Sequence, residues 1–287
     1  MVLSLLVIEY FLNITLKKIL FAVPHSSHYT LTSHNDHLFW LPSDRNAIEA
    51  TSIPCMLFSP IQEAQFFLIW CHGNGEDIST RYKQHVIVSQ ELQAHILVFE
   101  YPSYGLSKGK ISSLSEALVD AHAQRAYSFV RDKIQWPTDR IIIYGHSLGS
   151  GPASHIASTQ SVGGLILQSP YMSISNLVRE NVGILASLLT VSFWDNNKAM
   201  QRITCPTLFI HGQLDTVIPF NHSQILFNSL NHTNKKEFVM LANDDHSSIS
   251  VPVILMHTKA FLNKYIQQIT KPMPAVKLNQ FLENLKH

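Results

Sequence analysis

Short apolar runs recur along the middle of the chain, and helix-like stretches separate them. The runs are 66–71 (FFLIWC), 95–100 (HILVFE), 141–144 (IIIY), 164–168 (GLILQ), 207–210 (TLFI) and 238–241 (FVML). Continuous runs of this length, rich in β-branched and aromatic residues, suit strands buried on both faces. The stretches between them place apolar residues near helical spacing, over 82–92, 113–133, 151–158, 223–230 and 253–269. Alternation of strand and helix predicts an α/β fold, with a mostly parallel sheet and helices on both faces. Two earlier runs, 38–41 and 55–59, read as opening antiparallel strands. Ligands of such sheets bind beyond the carboxyl ends of the strands. The distinctive residues of this sequence lie there.

Composition removes several function classes. Charged residues are 14 % of the chain and the formal net charge is +1, against about 25 % charged residues in an average domain. No Lys and Arg cluster offers the footprint that nucleic acid requires. Hydrophobic residues are 46 %, far too many for disorder. The three cysteines, Cys55, Cys71 and Cys205, form neither a disulfide framework nor a zinc pattern and read as free buried thiols in a reducing, cytoplasmic setting. The N-x-S/T triplets at Asn13, Asn221 and Asn231 would matter only in a secreted protein. His25, His28, His34 and His37 lack a carboxylate or cysteine scaffold, so they read as a polar loop rather than a metal site.

The ends differ from the middle. Residues 1–16 are mostly apolar, interrupted by Glu9 and Asn13 and followed by Lys17 and Lys18. A membrane-spanning helix needs about 20 apolar residues, and this run reaches that length only by including its charges. No basic residue precedes it, as a signal peptide would require. A helix docked on the domain and one lying in a membrane interface both fit better, and both stay open. Length alone suggests about two domains. The motifs instead span one, giving an apolar segment over 1–24, a catalytic domain over 25–270 and a peripheral tail over 271–287.

The run 141–144 leads into Gly145-His146-Ser147-Leu148-Gly149, and a helix-like run follows. This is G-x-S-x-G between strand and helix, a strained turn that projects the serine hydroxyl beyond the sheet edge. A serine hydroxyl needs an adjacent base, and on such sheets the chain order is serine, acid, histidine. Asp215 follows the strand 207–210, and His246 follows the strand 238–241. Ser147 is expected as nucleophile, His246 as base and Asp215 as the acid that orients it. Asp244 and Asp245 are rival acids, but both adjoin His246 in sequence and are poorly placed to reach its ring. His72-Gly73-Asn74-Gly75 follows the first long strand. The expected oxyanion donors are the Leu148 amide and one from this loop, Asn74 first and Gly75 second. His72 reads as shaping the loop, and 100–105 as a turn bordering the site. This chemistry calls for no metal and no cofactor.

HGNGED, FEYPSYGLSKG, YGHSLGSGPA, LQSPY, CPTLFIHGQLDTVIP and NDDHSSI together resemble the α/β-hydrolase superfamily of serine hydrolases. They are similar to the branch holding the Bem46-like proteins and the α/β-hydrolase domain-containing 17 and 13 proteins. The resemblance runs from about Ile19 to Ile269 and implies an α/β-hydrolase fold with the triad named above. Members of the 17 group are protein depalmitoylases, which implies acyl thioesters, on lipidated proteins, as a substrate class. That group carries an N-terminal cysteine cluster for lipid anchoring, whereas residues 1–22 contain no cysteine. The apolar start is then the remaining route to peripheral membrane contact.

The segment 170–204, where this fold inserts its cap, is short. Leu177, Val178, Val182, Ile184, Leu185, Leu188, Leu189, Val191, Phe193 and Trp194 make it apolar, which suits an acyl chain or simple packing on the domain. The function expected is cleavage of acyl esters or thioesters through an acyl-Ser147 intermediate. A peptidase normally brings a larger cap or a propeller, which this length does not hold. A catalytically inactive lipid- or partner-binding protein normally lacks a triad member.

Overall fold

A computed structural model describes residues 20–42, 51–107, 109, 114–184, 187, 193–266, 273–274 and 276. The run 1–19 and most of the tail from 271 lie outside the described residues. Eight strands form one sheet: β1 (Leu38–Leu41), β2 (Ile53–Phe58), β3 (Phe66–Cys71), β4 (Ala94–Phe99), β5 (Ile141–His146), β6 (Gly164–Gln168), β7 (Thr207–Gly212) and β8 (Lys236–Leu241). Their order is β1-β2-β4-β3-β5-β6-β7-β8. β2 pairs antiparallel with β1 and β4, and every later pairing is parallel.

The central strands are buried along their whole length because helices cover both faces. Side chains alternate between two cores. Phe67, Ile69 and Cys71 enter one, while Phe66, Leu68 and Trp70 enter the other. On the second face α1 (Tyr82–Leu92) packs against α7 (Val251–Tyr265). On the first face α2 (Glu116–Ser128) packs on α3 (Ser150–Thr159). The cap helices α4 (Ile174–Asn181) and α5 (Asn196–Met200) follow β6, and α6 (Asn221–Ser229) follows β7.

The structure departs most from the sequence expectation in one helix and at several strand ends. The helix expected over 113–133 stops at Ser128 and widens into a π turn, Phe129–Lys133. The wider turn lets the adjacent Phe129 and Val130 both enter the core. β5 and β7 also run two residues further than the apolar runs predict. Gly145, His146, His211 and Gly212 are therefore strand residues, held by the ladder rather than by loops. Among the described residues, no helix is long and apolar enough to cross a membrane.

Three histidines are built into the core as neutral rings. His85 lies against Phe58 and Trp70, and His95 lies between Phe67 and Trp136. His122 Nδ1 donates to the Glu100 carbonyl at 2.8 Å. Burial pushes His85 down to about 3, and His95 and His122 down to about 4. The unfolded rings titrate near pH 6.5, so between about 6.5 and 4 the unfolded chain binds more protons and stability falls on acidification. Glu116 opposes this: burial pushes its carboxyl up to about 7, so it adds stability as pH falls from there towards its unfolded value. His146 is lowered as well, whereas His72, Glu100 and Asp120 are raised and side with Glu116, so the rings are tested one at a time. The urea midpoint of a His95→Gln variant is expected to fall less between pH 7 and pH 4.5 than that of the wild-type chain; an equal fall in both would contradict a buried neutral His95.

Candidate active site

β3 stands between β4 and β5, so the chain leaves it in one direction and later returns on its other side. The carboxyl ends of β3 and β5 therefore open a crevice, the usual ligand position in such sheets. Two close approaches shape it. A Cβ on Gly149 would sit 2.1 Å from the Cys71 carbonyl oxygen, and one on Gly73 would sit 2.7 Å from His146 Nδ1. Only glycine lets the loop after β3 and the turn after β5 press together in this way.

Ser147 heads that turn. The chain passes from β5 into a tight 3₁₀ turn, Ser147–Gly149, before α3 begins. The helix therefore starts at Ser150, one residue before the expected run 151–158. Ser147 has φ +51°, a left-handed conformation that costs about 1–2 kcal/mol for a residue with a Cβ. The packing of Gly145 against Ala153 and Ser150 holds it there.

The other two expected residues converge on it. The Leu214 amide donates to the Asp244 carbonyl at 3.0 Å, which ties the loop after β7 to the loop after β8. His246 Nδ1 is 2.6 Å from Asp215 Oδ2, and His246 Nε2 is 3.0 Å from Ser147 Oγ. A carboxylate only accepts, so Nδ1 carries the proton and Nε2 accepts from the serine hydroxyl. The rival acids face their own loop: Asp245 accepts the Ser247 and Ser248 amides, and Asp244 accepts the Ser248 hydroxyl.

Asp215 is fixed from four directions. Its Oδ1 accepts the Val217 and Ile218 amides at 2.9 and 2.8 Å. Its Oδ2 accepts from His246 and also from His211 Nε2 at 3.1 Å. Burial alone would raise its pKa, but the two histidines and the Ile218 amide outweigh burial and hold it well below the usual carboxylate range. His211 is a residue that sequence reasoning missed. Its Nε2–H is shared with the Ile218 carbonyl at 2.9 Å, and its Nδ1 accepts from the Ser223 hydroxyl at 2.6 Å. The signal available was its position at a strand end, four residues before the acid.

The expected oxyanion residues lie on the two segments that border the crevice. Leu148 follows Ser147 within its turn, and Asn74 and Gly75 belong to the loop after β3. Glu76 steadies that loop: its Oε2 accepts the Gly73 amide at 3.1 Å, and its Oε1 pairs with Arg81 at 2.6 Å. Burial would raise the Glu76 carboxyl, but His146, at 3.5 Å, and Arg81 hold it far below its ordinary value. His72 stacks on Tyr101 with ring centroids 3.8 Å apart, and the Tyr101 hydroxyl donates to the His72 carbonyl. His72 thus shapes the loop from below.

The cap is partly packing and partly open. Val178 and Trp194 are buried, whereas Val182 and Ile184 are 61 % and 66 % exposed. Leu185, Leu188, Leu189 and Val191 lie outside the described residues. The Trp194 indole donates to Asp120 at 2.9 Å, and His222 pairs with Glu180 at 2.8 Å, tying the cap to the domain. A cavity of about 280 Å³ lies between cap and α3, lined by Glu116, Gly151, His155, Trp194, Asp195 and Arg202. It includes none of the triad residues.

Residues 62–233 match the family described as Chlamydia CHLPS protein (DUF818). The chain belongs to this family. The α/β-hydrolase domain-containing protein aho-3 of Caenorhabditis elegans is 29 % identical over 175 residues, 61 % of this chain and 51 % of that protein. The α/β-hydrolase domain-containing protein 17B of Homo sapiens is 28 % identical over 186 residues, 61 % of this chain and 59 % of that protein. The match thus spans between half and three fifths of these curated relatives. An esterase of Pyrococcus furiosus superimposes with a TM-score of 0.65 at 14 % identity, covering 85 % of this chain and 100 % of that one. The α/β-hydrolase domain-containing protein 10 from mouse superimposes with a TM-score of 0.59 at 14 % identity, covering 79 % and 98 %. This member of the DUF818 family has the α/β-hydrolase fold.

Proposed function

We propose that the chain is a serine hydrolase that cleaves acyl esters or thioesters through an acyl-Ser147 intermediate. The observation that carries this reading is the unbroken hydrogen-bond chain from Ser147 Oγ through His246 to Asp215, at 3.0 and 2.6 Å. His246 Nε2 takes the hydroxyl proton as Oγ attacks the acyl carbonyl. The negative charge develops on the carbonyl oxygen, where the Leu148 amide and an amide of Asn74 or Gly75 meet it. His246 then gives the proton to the leaving thiol or alcohol. Water, activated by the same nitrogen, releases the acid from Ser147.

An acyl chain is the favoured substrate group because the neighbouring cap is apolar. Met172, Leu177 and Phe193 are only partly buried and pack against the core that includes Trp194. Burying a chain there is favourable by about 25 cal/mol per Å². Protein-linked palmitoyl thioesters are one member of this class. The peripheral membrane contact expected over 1–22 is proposed only for 1–19, because Phe21 is buried against the cap; it would bring the enzyme to such substrates.

A fluorophosphonate probe is expected to label the folded protein at Ser147, located by mass spectrometry. Hydrolysis of p-nitrophenyl esters is expected to vary with acyl length, with S-palmitoyl peptides assayed beside them. A folded protein that takes no label overturns the hydrolase reading. Equal rates on every ester would remove the acyl-chain part of it.

A further inference from the structure

Residues 20–22 lie across the loop that follows β3. The Asn74 side chain pairs with them as a neighbouring strand would. Its Nδ2 donates to the Leu20 carbonyl at 2.8 Å, and its Oδ1 accepts the Ala22 amide at 2.8 Å. The Tyr104 hydroxyl donates to the same Oδ1 at 2.8 Å. These partners fix the amide orientation, since the reverse would set donor against donor. Between the two strap contacts, Phe21 is 2 % exposed, with ring centroids 5.9 Å from Phe193 and 6.3 Å from Trp194 in the cap. The strap continues along the loop, where Asp77 accepts the His28 amide at 2.7 Å.

Glu76 and Tyr101 hold the His72-Gly73 half of the loop, but the Asn74-Gly75 half has little stiffness of its own. Two of the four loop residues are glycines, and Gly75 has φ +74°. Oxyanion donors act only when held at the place where charge develops. The contacts that hold Asn74 come from Tyr104 and the strap, and the strap is itself pinned under the cap by Phe21. The Asn74 side chain is therefore committed to the strap, and the loop offers a substrate its backbone amides.

We propose that residues 20–22, gripped by Asn74 and anchored by Phe21, position the oxyanion loop and so belong to the active site. Asn74 acts here through its side chain as a positioning residue, and Phe21 does so at one remove. The inference rests on the serine hydrolase reading.

The test uses the full chain carrying Asn74→Ala, Phe21→Ala or Phe21→Leu. The readouts are kcat and KM on p-nitrophenyl acetate and on a long-chain ester, per site titrated with fluorophosphonate, together with Tm. Loss of an oxyanion donor lowers kcat about 10²–10³-fold, so a misplaced loop in Asn74→Ala is expected to lower it at least about 10-fold. KM should hold, and the factor should be the same for both esters. Phe21→Ala should show a smaller loss with the same equality, and Phe21→Leu should restore most of it. Phe21→Ala keeps Asn74 intact and decides the matter if Asn74→Ala does not fold. A fall in Tm with unchanged kcat per titrated site overturns the proposal, because the clamp would then serve stability alone. A loss confined to the long-chain ester also overturns it, because the strap would then only line an acyl pocket. Failure of the wild-type chain to label at Ser147 would strike the hydrolase reading instead.

Discussion

Replacing Ser147 by alanine is expected to lower kcat on an acyl ester by about 10⁶-fold. The hydroxyl lies 3.0 Å from His246 Nε2, and no other nucleophile shares that nitrogen among the described residues. His246→Ala should cost a similar factor, because Oγ then has no proton acceptor. The double variant should be no slower than either single one. A nucleophile without its base and a base without its nucleophile are equally idle. Stability should change little in Ser147→Ala, since alanine carries a Cβ and meets the same strain at φ +51°. The assay is p-nitrophenyl ester hydrolysis, with Tm as the control. Losses that multiply in the double variant, or a single variant retaining a thousandth of the activity, would contradict the shared role.

Asp215→Asn is expected to lower kcat by about 10⁴-fold with the fold intact. The two backbone amides on Oδ1, at 2.9 and 2.8 Å, decide which way the new side chain faces. Its oxygen must accept them, so its NH₂ replaces Oδ2. Two histidine donors already point there, His246 Nδ1–H and His211 Nε2–H. His246 can relieve the conflict only by moving its proton to Nε2. In that tautomer it cannot accept from Ser147, and no negative charge remains to stabilise the imidazolium. The rate of fluorophosphonate labelling should fall with kcat, because both need the same proton transfer. A loss below 10-fold would remove Asp215 from the orienting role.

Much of this was legible in the sequence, for definite reasons. The runs 66–71 and 164–168 match β3 and β6 residue for residue, because strands buried on both faces must be apolar throughout. Ser147, Asp215 and His246 could be named because strand ends are where this architecture exposes chemistry. What stayed hidden depends on contacts distant in sequence. Nothing around Asn74 announces that its side chain pairs with residues 20 and 22. The second donor on Asp215 Oδ2 needs the ring geometry of His211 inside β7. The π turn after Ser128 comes from two adjacent apolar residues competing for one core, which helical periodicity cannot express.

β8 is the sheet's last strand and is only half-buried along its length. His246 hangs from the loop at its end, and its bond to Ser147 spans 99 residues of chain. Strands at a rim open more readily than those at the centre. Parting β8 from β7 would carry the base away while Trp70, Trp136 and the ladder around them stayed closed. Heat inactivation of the proposed hydrolase is thus expected to begin at the periphery of the sheet, with activity lost before the core unfolds.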